Sequence, residues 1–355
     1  MHQSAVSLIV IFYIFVGVTL LVFNIFYMLG TKRKNTVFER RKAEEAELLM
    51  RAAREGTKGG AGYRKSLYKT LVREESLLAF DSALEKNMKS IPAKDIEWYF
   101  REYCDVFCDA AIYYRKRPAM ERALFAHLLS VIPEKNALGY RRLGELLLSY
   151  LENSTVYCRE NVLQAMYRLG NEDVLERAFK LFQENGWYHS SKLIADGMAS
   201  FNGDREKLAR RLWSEKWDEE METALIQFMG NLPCDLSDLV LPELSSRNGE
   251  IRFAAARYFG RHVKAEAAPL LRGIVEGEED AAAAAVRSLG KYPGEESRKT
   301  LMRAISSEDW YIRRNAAESL LELGLSEEEE ARLLNHRDRY AREMFMYMRE
   351  SRERK

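Results

Sequence analysis

Two stretches of this chain say nearly the same thing. YCRENVLQAMYRLG runs from Tyr157 to Gly170 and YIRRNAAESLLELG from Tyr311 to Gly324, and five of the fourteen positions agree across 154 residues. Between them lie METALIQFMG (Met221 to Gly230), EIRFAAARYFG (Glu250 to Gly260) and DAAAAAVRSLG (Asp280 to Gly290). With the Arg position of the motif as a ruler, the copies fall at 159, 192, 222, 252, 282 and 313, in steps of 33, 30, 30, 30 and 31. A period that steady predicts a stacked array of helical units, none of which buries its apolar face alone.

Each period reads as two helices. The first is the Ala-rich one, such as Ile251 to Arg261; a short turn follows, then a second such as Ala267 to Val275 in AEAAPLLRGIVEG. The small residues Ala254, Ala255, Ala256 and Ala281 to Ala285 let neighbouring helices approach closely. Pro133, Pro233, Pro242, Pro269 and Pro293 fall near expected turns or first helical positions, where a missing N–H costs little. Upstream, apolar residues keep the same three-and-four spacing, as in Leu67, Leu71, Leu77, Leu78 and Leu84, then Ile96, Tyr99, Phe100, Tyr103 and Phe107. No run alternates as a strand does. The expected fold is all-α.

The N-terminus is of a different kind. Ala5 to Leu29 contains no charged residue in 25 positions, and a bilayer core takes about 20 apolar residues in a helix. A cleavable signal would carry a basic start and a shorter apolar stretch; MHQS has no Lys or Arg, and no small-x-small cleavage site follows. The expectation is an uncleaved single transmembrane helix. Thr31 to Lys42, TKRKNTVFERRK, carries Lys32, Arg33, Lys34, Arg40, Arg41 and Lys42 against one Glu. By the positive-inside rule this flank is cytoplasmic and the short N-terminus faces out of the cell membrane. Gly17 and Asn24, two turns apart on one face, are candidates for packing on another transmembrane helix. After the span, Val37 to Arg54 reads as a polar helix, and EGTKGGAG (Glu55 to Gly62) as a flexible break.

The motif resembles HEAT repeats, in particular the short, PBS-lyase-like bacterial type of about thirty residues. The family's V-R-x-x-A-A-x-x-L-G is matched at Ile251-Arg252, Ala254, Ala255 and Phe259-Gly260, and at Ile312-Arg313, Ala316 and Ala317. The likeness is clear over Leu208 to Gly324 and fair back to Thr155. It implies a right-handed α-solenoid of helical hairpins behind the anchor. Its expected divisions are 1–30 anchor, 31–62 basic juxtamembrane helix and linker, 63–150 divergent helical part, 151–336 repeats and 337–355 capping helix. It also implies a membrane-anchored cytoplasmic scaffold that binds a protein partner, as an accessory subunit of a membrane complex. An envelope polysaccharide glycosyltransferase is one such partner. A HEAT-like enzyme or chromophore lyase is the alternative, and a nucleic-acid binder the weaker one.

Chemistry is sparse. The histidines at 2, 127, 189, 262 and 336 are scattered, and no catalytic triad, HExxH or phosphate-loop spacing occurs. No cofactor and no metal are expected: Cys104 and Cys108 share a helix face without further ligands nearby, as small buried residues would. The acidic runs at Asp218 to Glu220 and Glu327 to Glu330 sit at helix starts, where the helix dipole favours them. Residues 31–75 carry 13 Lys/Arg and 7 Asp/Glu, and 331–355 carry 8 and 4, so the net +1 leaves about −9 for the remainder (+1 − 6 − 4). That sign disfavours nucleic acid. Trp187, Trp217 and Trp310 each precede the ruler position by three to five residues, which makes them plugs between units or, with Arg252 and Arg313, anchors for a protein partner. Arg159, Arg252 and Arg313 are also expected to tie one repeat to the next. Tyr340, Met344, Tyr347 and Met348 form a stripe on the last helix, either a cap for the open end of the array or a sticky face, the cap being preferred because solenoid ends must be shielded.

Overall fold

The computed structural model describes residues 2–55, 60–87, 90–131, 138–277 and 280–354. Among these the regular structure is helical throughout, twenty α-helices and a 3-10 turn, with no strand. The chain divides into two compact units, Met1–Val174 and Leu175–Lys355.

The first unit begins with α1 (His2–Glu55), one unbroken helix of 54 residues. Nothing interrupts it at Gly30, because a single glycine costs a helix only about 1 kcal/mol against Ala and Met28, Leu29, Lys32, Arg33 and Lys34 around it are good helix formers. It contains the one stretch among the described residues long and apolar enough to cross a membrane, with a mean hydropathy of 1.5 and none of that stretch covered by the fold. Its far end is different. Leu49 is buried, the Thr70 hydroxyl donates to Glu45 at 3.0 Å, and Arg41 pairs with Glu75. α1 thus packs on α3 (Glu74–Asn87) and α4 (Ala93–Glu102). Of the glycine-rich break, residues 56–59 lie outside the described residues; Glu55 still belongs to α1, and Gly60 already opens α2 (Gly60–Leu71). Pro133 likewise lies outside them.

The rest of this unit, α5 (Cys104–Tyr114), α6 (Ala119–Ser130), α7 (Leu138–Leu151) and α8 (Val156–Leu169), is packed pairwise, with α5 on α7 and α6 on α8. Buried tyrosines stitch it: Tyr114 donates to the Leu71 carbonyl at 2.8 Å and Tyr150 to that of Ala111 at 2.7 Å. A phenol can enter an apolar seam only if its hydroxyl finds an acceptor, and helix carbonyls supply one. Arg122 is buried on α6 and donates to three carbonyls at the end of α7, Tyr150 at 3.1 Å, Glu152 at 2.9 Å and Asn153 at 2.7 Å. A helix end exposes exactly such carbonyls and carries partial negative charge. Cys104, Cys108 and Cys158 are buried thiols here.

The second unit holds the ladder. The motif helices α10 (Ser191–Ala199), α12 (Glu219–Met229), α14 (Gly249–Phe259), α16 (Ala282–Leu289), α18 (Trp310–Leu323) and α20 (Arg339–Glu353) pack each on the next. Second helices such as α15 (Ala267–Gly277) and α17 (Glu295–Ala304) alternate with them, but between α12 and α14 this element shrinks to α13 (Ser237–Val240) and a 3-10 turn (Leu241–Ser245) that contains Pro242. Alanine makes the close approach possible: Ala254, Ala255, Ala256, Ala281, Ala282, Ala284 and Ala285 are all buried.

Four of the six motif helices, α12, α14, α18 and α20, start with the same local device. Asp218, Asn248, Asp309 and Asp338 are N-caps whose side chains accept early backbone N–H groups of their helices. Four residues after three of these caps stands an arginine that folds back onto the preceding loop. Arg252 donates to Ser246 at 2.7 Å, Arg313 to Ser307 at 2.7 Å and Arg342 to His336 at 2.7 Å. Arg159 repeats it in the first unit, behind the Thr155 cap, with Ser154 at 2.9 Å. The recurring arginine is therefore a clamp on the loop that enters its helix. α20 extends the ladder by one more copy, Arg342 standing 29 residues beyond Arg313.

Replacing Arg313 with Met removes its bonds to the Ser307 and Glu308 carbonyls, 2.7 and 2.8 Å. The expected loss is about 1–2 kcal/mol, the usual worth of hydrogen bonds to a charged donor at a partly exposed site, read as a lower urea midpoint with unchanged helix content. An unchanged midpoint would refute the clamp.

Candidate functional site

Phe253 and Arg257 are four residues apart on one face of α14, and Arg261 follows four residues on, just past the end of that helix. They form a ridge between two hollows of the second unit. One, of ≈ 300 Å³, opens toward α12 and α10 and is lined by Lys192, Gln227 and Asn231 with the ridge residues. The other, of ≈ 590 Å³, opens toward α16 and α18, where Arg287, Lys291, Tyr311 and Asn315 face it. Three lining residues are shared, so the hollows are two halves of one groove crossing five successive repeats.

The groove's charges differ in how far the fold has used them. Arg287 pairs with Glu322 at 2.7 Å and Glu318 at 3.5 Å, and Lys291 with Glu322 at 3.2 Å. Glu322 is partly desolvated, which alone would raise its pKa, but its two cationic partners outweigh that and hold it below the ordinary carboxylate value. Among the described residues Arg261 is engaged only with neutral oxygens, the Gly230 carbonyl at 3.0 Å and Asn231 at 2.5 Å. The Arg257 guanidinium stands 5.9 Å above the Phe253 ring. Neither Arg257 nor Lys192 makes an ion pair among the described residues. Asn315 spends a donor on the Ala283 carbonyl, 2.7 Å away on the neighbouring helix, and holds the floor of the larger hollow.

The tryptophans and arginines singled out in the sequence occupy three different situations. Trp217 is buried and donates to the Leu212 carbonyl at 2.6 Å, so it seals the seam before α12. Trp187 is half-buried, edge-on to Phe182 at 5.7 Å. Trp310 is 47 % exposed, with the Arg314 guanidinium 5.7 Å from its ring. Arg252 and Arg313 are loop clamps, though the Arg313 guanidinium also lies 5.6 Å from the exposed Tyr340 ring. Trp310, Tyr311 and Tyr340 leave an exposed aromatic edge at the starts of α18 and α20. Gly17 and Asn24 lie in the uncovered part of α1, and a Cβ on Gly17 would meet nothing within 4 Å.

Phe253, Arg257, Arg261 and Tyr311 were not singled out from the sequence. A signal for them exists there: Arg257 and Arg287 stand five residues past the ruler, Arg261 and Lys291 nine. A second register running beside the Ala-rich one marks the face that the core does not use.

Helices stacked in register, with capped starts, small-residue seams and an open groove across successive copies, define a helical-repeat protein. The family model for HEAT repeats matches residues 276–342, which takes in α16, α18 and the start of α20. Together with the all-helical architecture this supports a HEAT-repeat protein. Comparison with curated proteins returns no match.

Proposed function

We propose that the chain is a membrane-anchored scaffold: α1 holds it in the cell membrane with the N-terminus outside, and the repeats hold a protein partner on the cytoplasmic side. The partner belongs to a membrane complex of which this chain is an accessory subunit, an envelope polysaccharide glycosyltransferase being the kind of enzyme served. The observation that carries this reading is α1 itself, bare along its apolar start and built into the fold at Leu49. From Leu29 to Leu49 a helix rises about 30 Å at 1.5 Å per residue, so the first unit is carried on a stiff stem rather than on a slack thread. Lys32, Arg33, Lys34, Arg40, Arg41 and Lys42 support the orientation. Anchoring raises the effective concentration of the repeats beside a membrane partner, and Gly17 and Asn24 are available for contact with that partner's own helices. No catalytic chemistry is part of this reading.

The test is fractionation with topology labelling. The full chain is expected to sediment with membranes and to resist alkaline carbonate, and a chain lacking residues 1–30 to be released. In intact cells a membrane-impermeant maleimide should reach Ser4→Cys but not the exposed Glu266→Cys. A full-length chain recovered in the soluble fraction would end the proposal, and labelling of Glu266→Cys alone would reverse the orientation.

A further inference from the structure

We propose that the α14 groove takes an acidic segment of a partner protein, with an apolar side chain of that segment lodged beside Phe253. This rests on the scaffold reading and gives its partner a chemistry. The first ground is charge left over after folding. Lys192 and Arg257 are exposed and make no ion pair among the described residues, and Arg261 satisfies its hydrogen bonds on neutral oxygens without meeting a counter-charge. Three cations thus line the hollow beside α12, where Asp196 on α10 is the one lining acid, while Asp280 and Asp309, before α16 and α18, line the other hollow. One oxygen of Asp309 is already committed to the Ile312 N–H at 2.9 Å.

The second ground is contrast. Outside residues 31–75 and 331–355 the chain carries about −9 (+1 − 6 − 4), so an acidic segment is repelled over most of the array and accepted at this ridge. Repulsion elsewhere fixes position as much as attraction here does. The third ground is shape. Two hollows of ≈ 300 and ≈ 590 Å³ flank the Phe253–Arg257 pair, enough for side chains on either side of a bound backbone. A nucleic-acid strand would need an unbroken row of cations along its phosphates. Glu318 and Glu322 on α18, already paired to Arg287 and Lys291, interrupt such a row.

The experiment uses the full chain in detergent and three fluorescein-labelled probes: a short peptide of alternating Glu and Leu, its Gln-for-Glu twin, and a short single-stranded oligonucleotide. Anisotropy should show binding of the Glu peptide, at least about tenfold weaker binding of the Gln peptide, and weakening of the Glu peptide with added salt. Arg257→Glu with Lys192→Glu should lose the Glu peptide by about tenfold or more. Both side chains are exposed and make no hydrogen bond or ion pair among the described residues, so an unchanged thermal melt separates lost binding from lost fold. Arg257→Lys should retain most of the binding. Tighter binding of the oligonucleotide, equal binding of the two peptides, or no effect of the double reversal each overturns the proposal. A photo-crosslinker at Phe253 and another at Trp310, used in native membranes, keep the two readings apart. Crosslinks from Trp310 with failure of the Glu peptide remove only the acidic occupant, whereas no crosslink from either position counts against the scaffold as well.

Discussion

Arg122→Met is expected to lower the stability of the first unit by about 3 kcal/mol, more than any other single polar replacement there. The side chain is 6 % exposed and makes three hydrogen bonds, all to carbonyls that α7 leaves open as it ends. Removing the guanidinium leaves the Tyr150 carbonyl in the interior with only the weak Cys158 thiol donor at 3.9 Å, at about 1–3 kcal/mol for a poorly satisfied buried acceptor, and removes charge-assisted bonds worth about 1.5–3 kcal/mol each before water replaces the outer two. Glu152 and Asn153 are exposed, so water recovers part of that loss, which is why the figure stays near 3 rather than at the sum. Lys at this position should restore less than half, because one ammonium cannot span three acceptors. Arg168→Met is the control: it gives up only a 3.1 Å bond from an exposed side chain to the Ser130 carbonyl. Urea unfolding followed by circular dichroism decides. A midpoint for Arg122→Met within that of Arg168→Met would show that the α7 end does not depend on the arginine.

The same residue shows where sequence reading stops. The ruler, the Ala-rich seams and the helical period were all legible, since each is a short-range pattern that a helix imposes on its own sequence. Arg252 and Arg313 were legible as recurring positions, and the N-cap four residues upstream explains the recurrence. The bond expected from one repeat to the next is instead a local one, to carbonyls five and six residues upstream in the loop that enters the same helix. Arg122 carries no such mark, because its partners lie 28 to 31 residues away and only the packing of α6 beside the end of α7 brings them together. Trp217 was readable as a plug or as an anchor; burial decides for the plug, and burial depends on the helix before it. Val37 to Arg54 read as a polar helix, and the burial of Leu49 with the packing of α1 on α3 and α4 makes that stretch a structural member. Arg257 and Lys192 were hidden for the opposite reason. Nothing local distinguishes a cation with an internal partner from one without.

The glycine that ends each motif looks like a single conserved requirement within the chain, yet the structure gives it different causes, and Ala substitutions separate them. Gly170 and Gly324 have φ of 65° and 73°, the left-handed region in which a side chain is strained. Gly230, Gly260 and Gly290 end their helices with ordinary α-like φ of −64°, −75° and −60°. At such sites Ala normally stabilises by about 0.4–1 kcal/mol through the unfolded chain. Gly230→Ala should do so, its new Cβ meeting nothing closer than 3.4 Å. Gly290→Ala should instead cost about 2 kcal/mol or more, as overpacking does, because its Cβ would stand 2.9 Å from the Ser319 Cβ and Oγ and 3.0 Å from the Ser319 Cα. Gly260→Ala falls between: its closest conflict, 2.7 Å, is with the Ser288 hydroxyl alone, and the next contacts are 3.3 and 3.4 Å. A double-mutant cycle distinguishes the two seams. Ser288→Ala should relieve most of the Gly260→Ala penalty, after allowance for its own lost bond to the Ala256 carbonyl at 2.6 Å. Ser319→Ala should relieve little at Gly290, where the obstruction is Cβ and backbone. If Gly230, Gly260 and Gly290 respond alike to Ala, backbone freedom rather than helix approach is what this position supplies, and the account of how the repeats are held together would have to be given up.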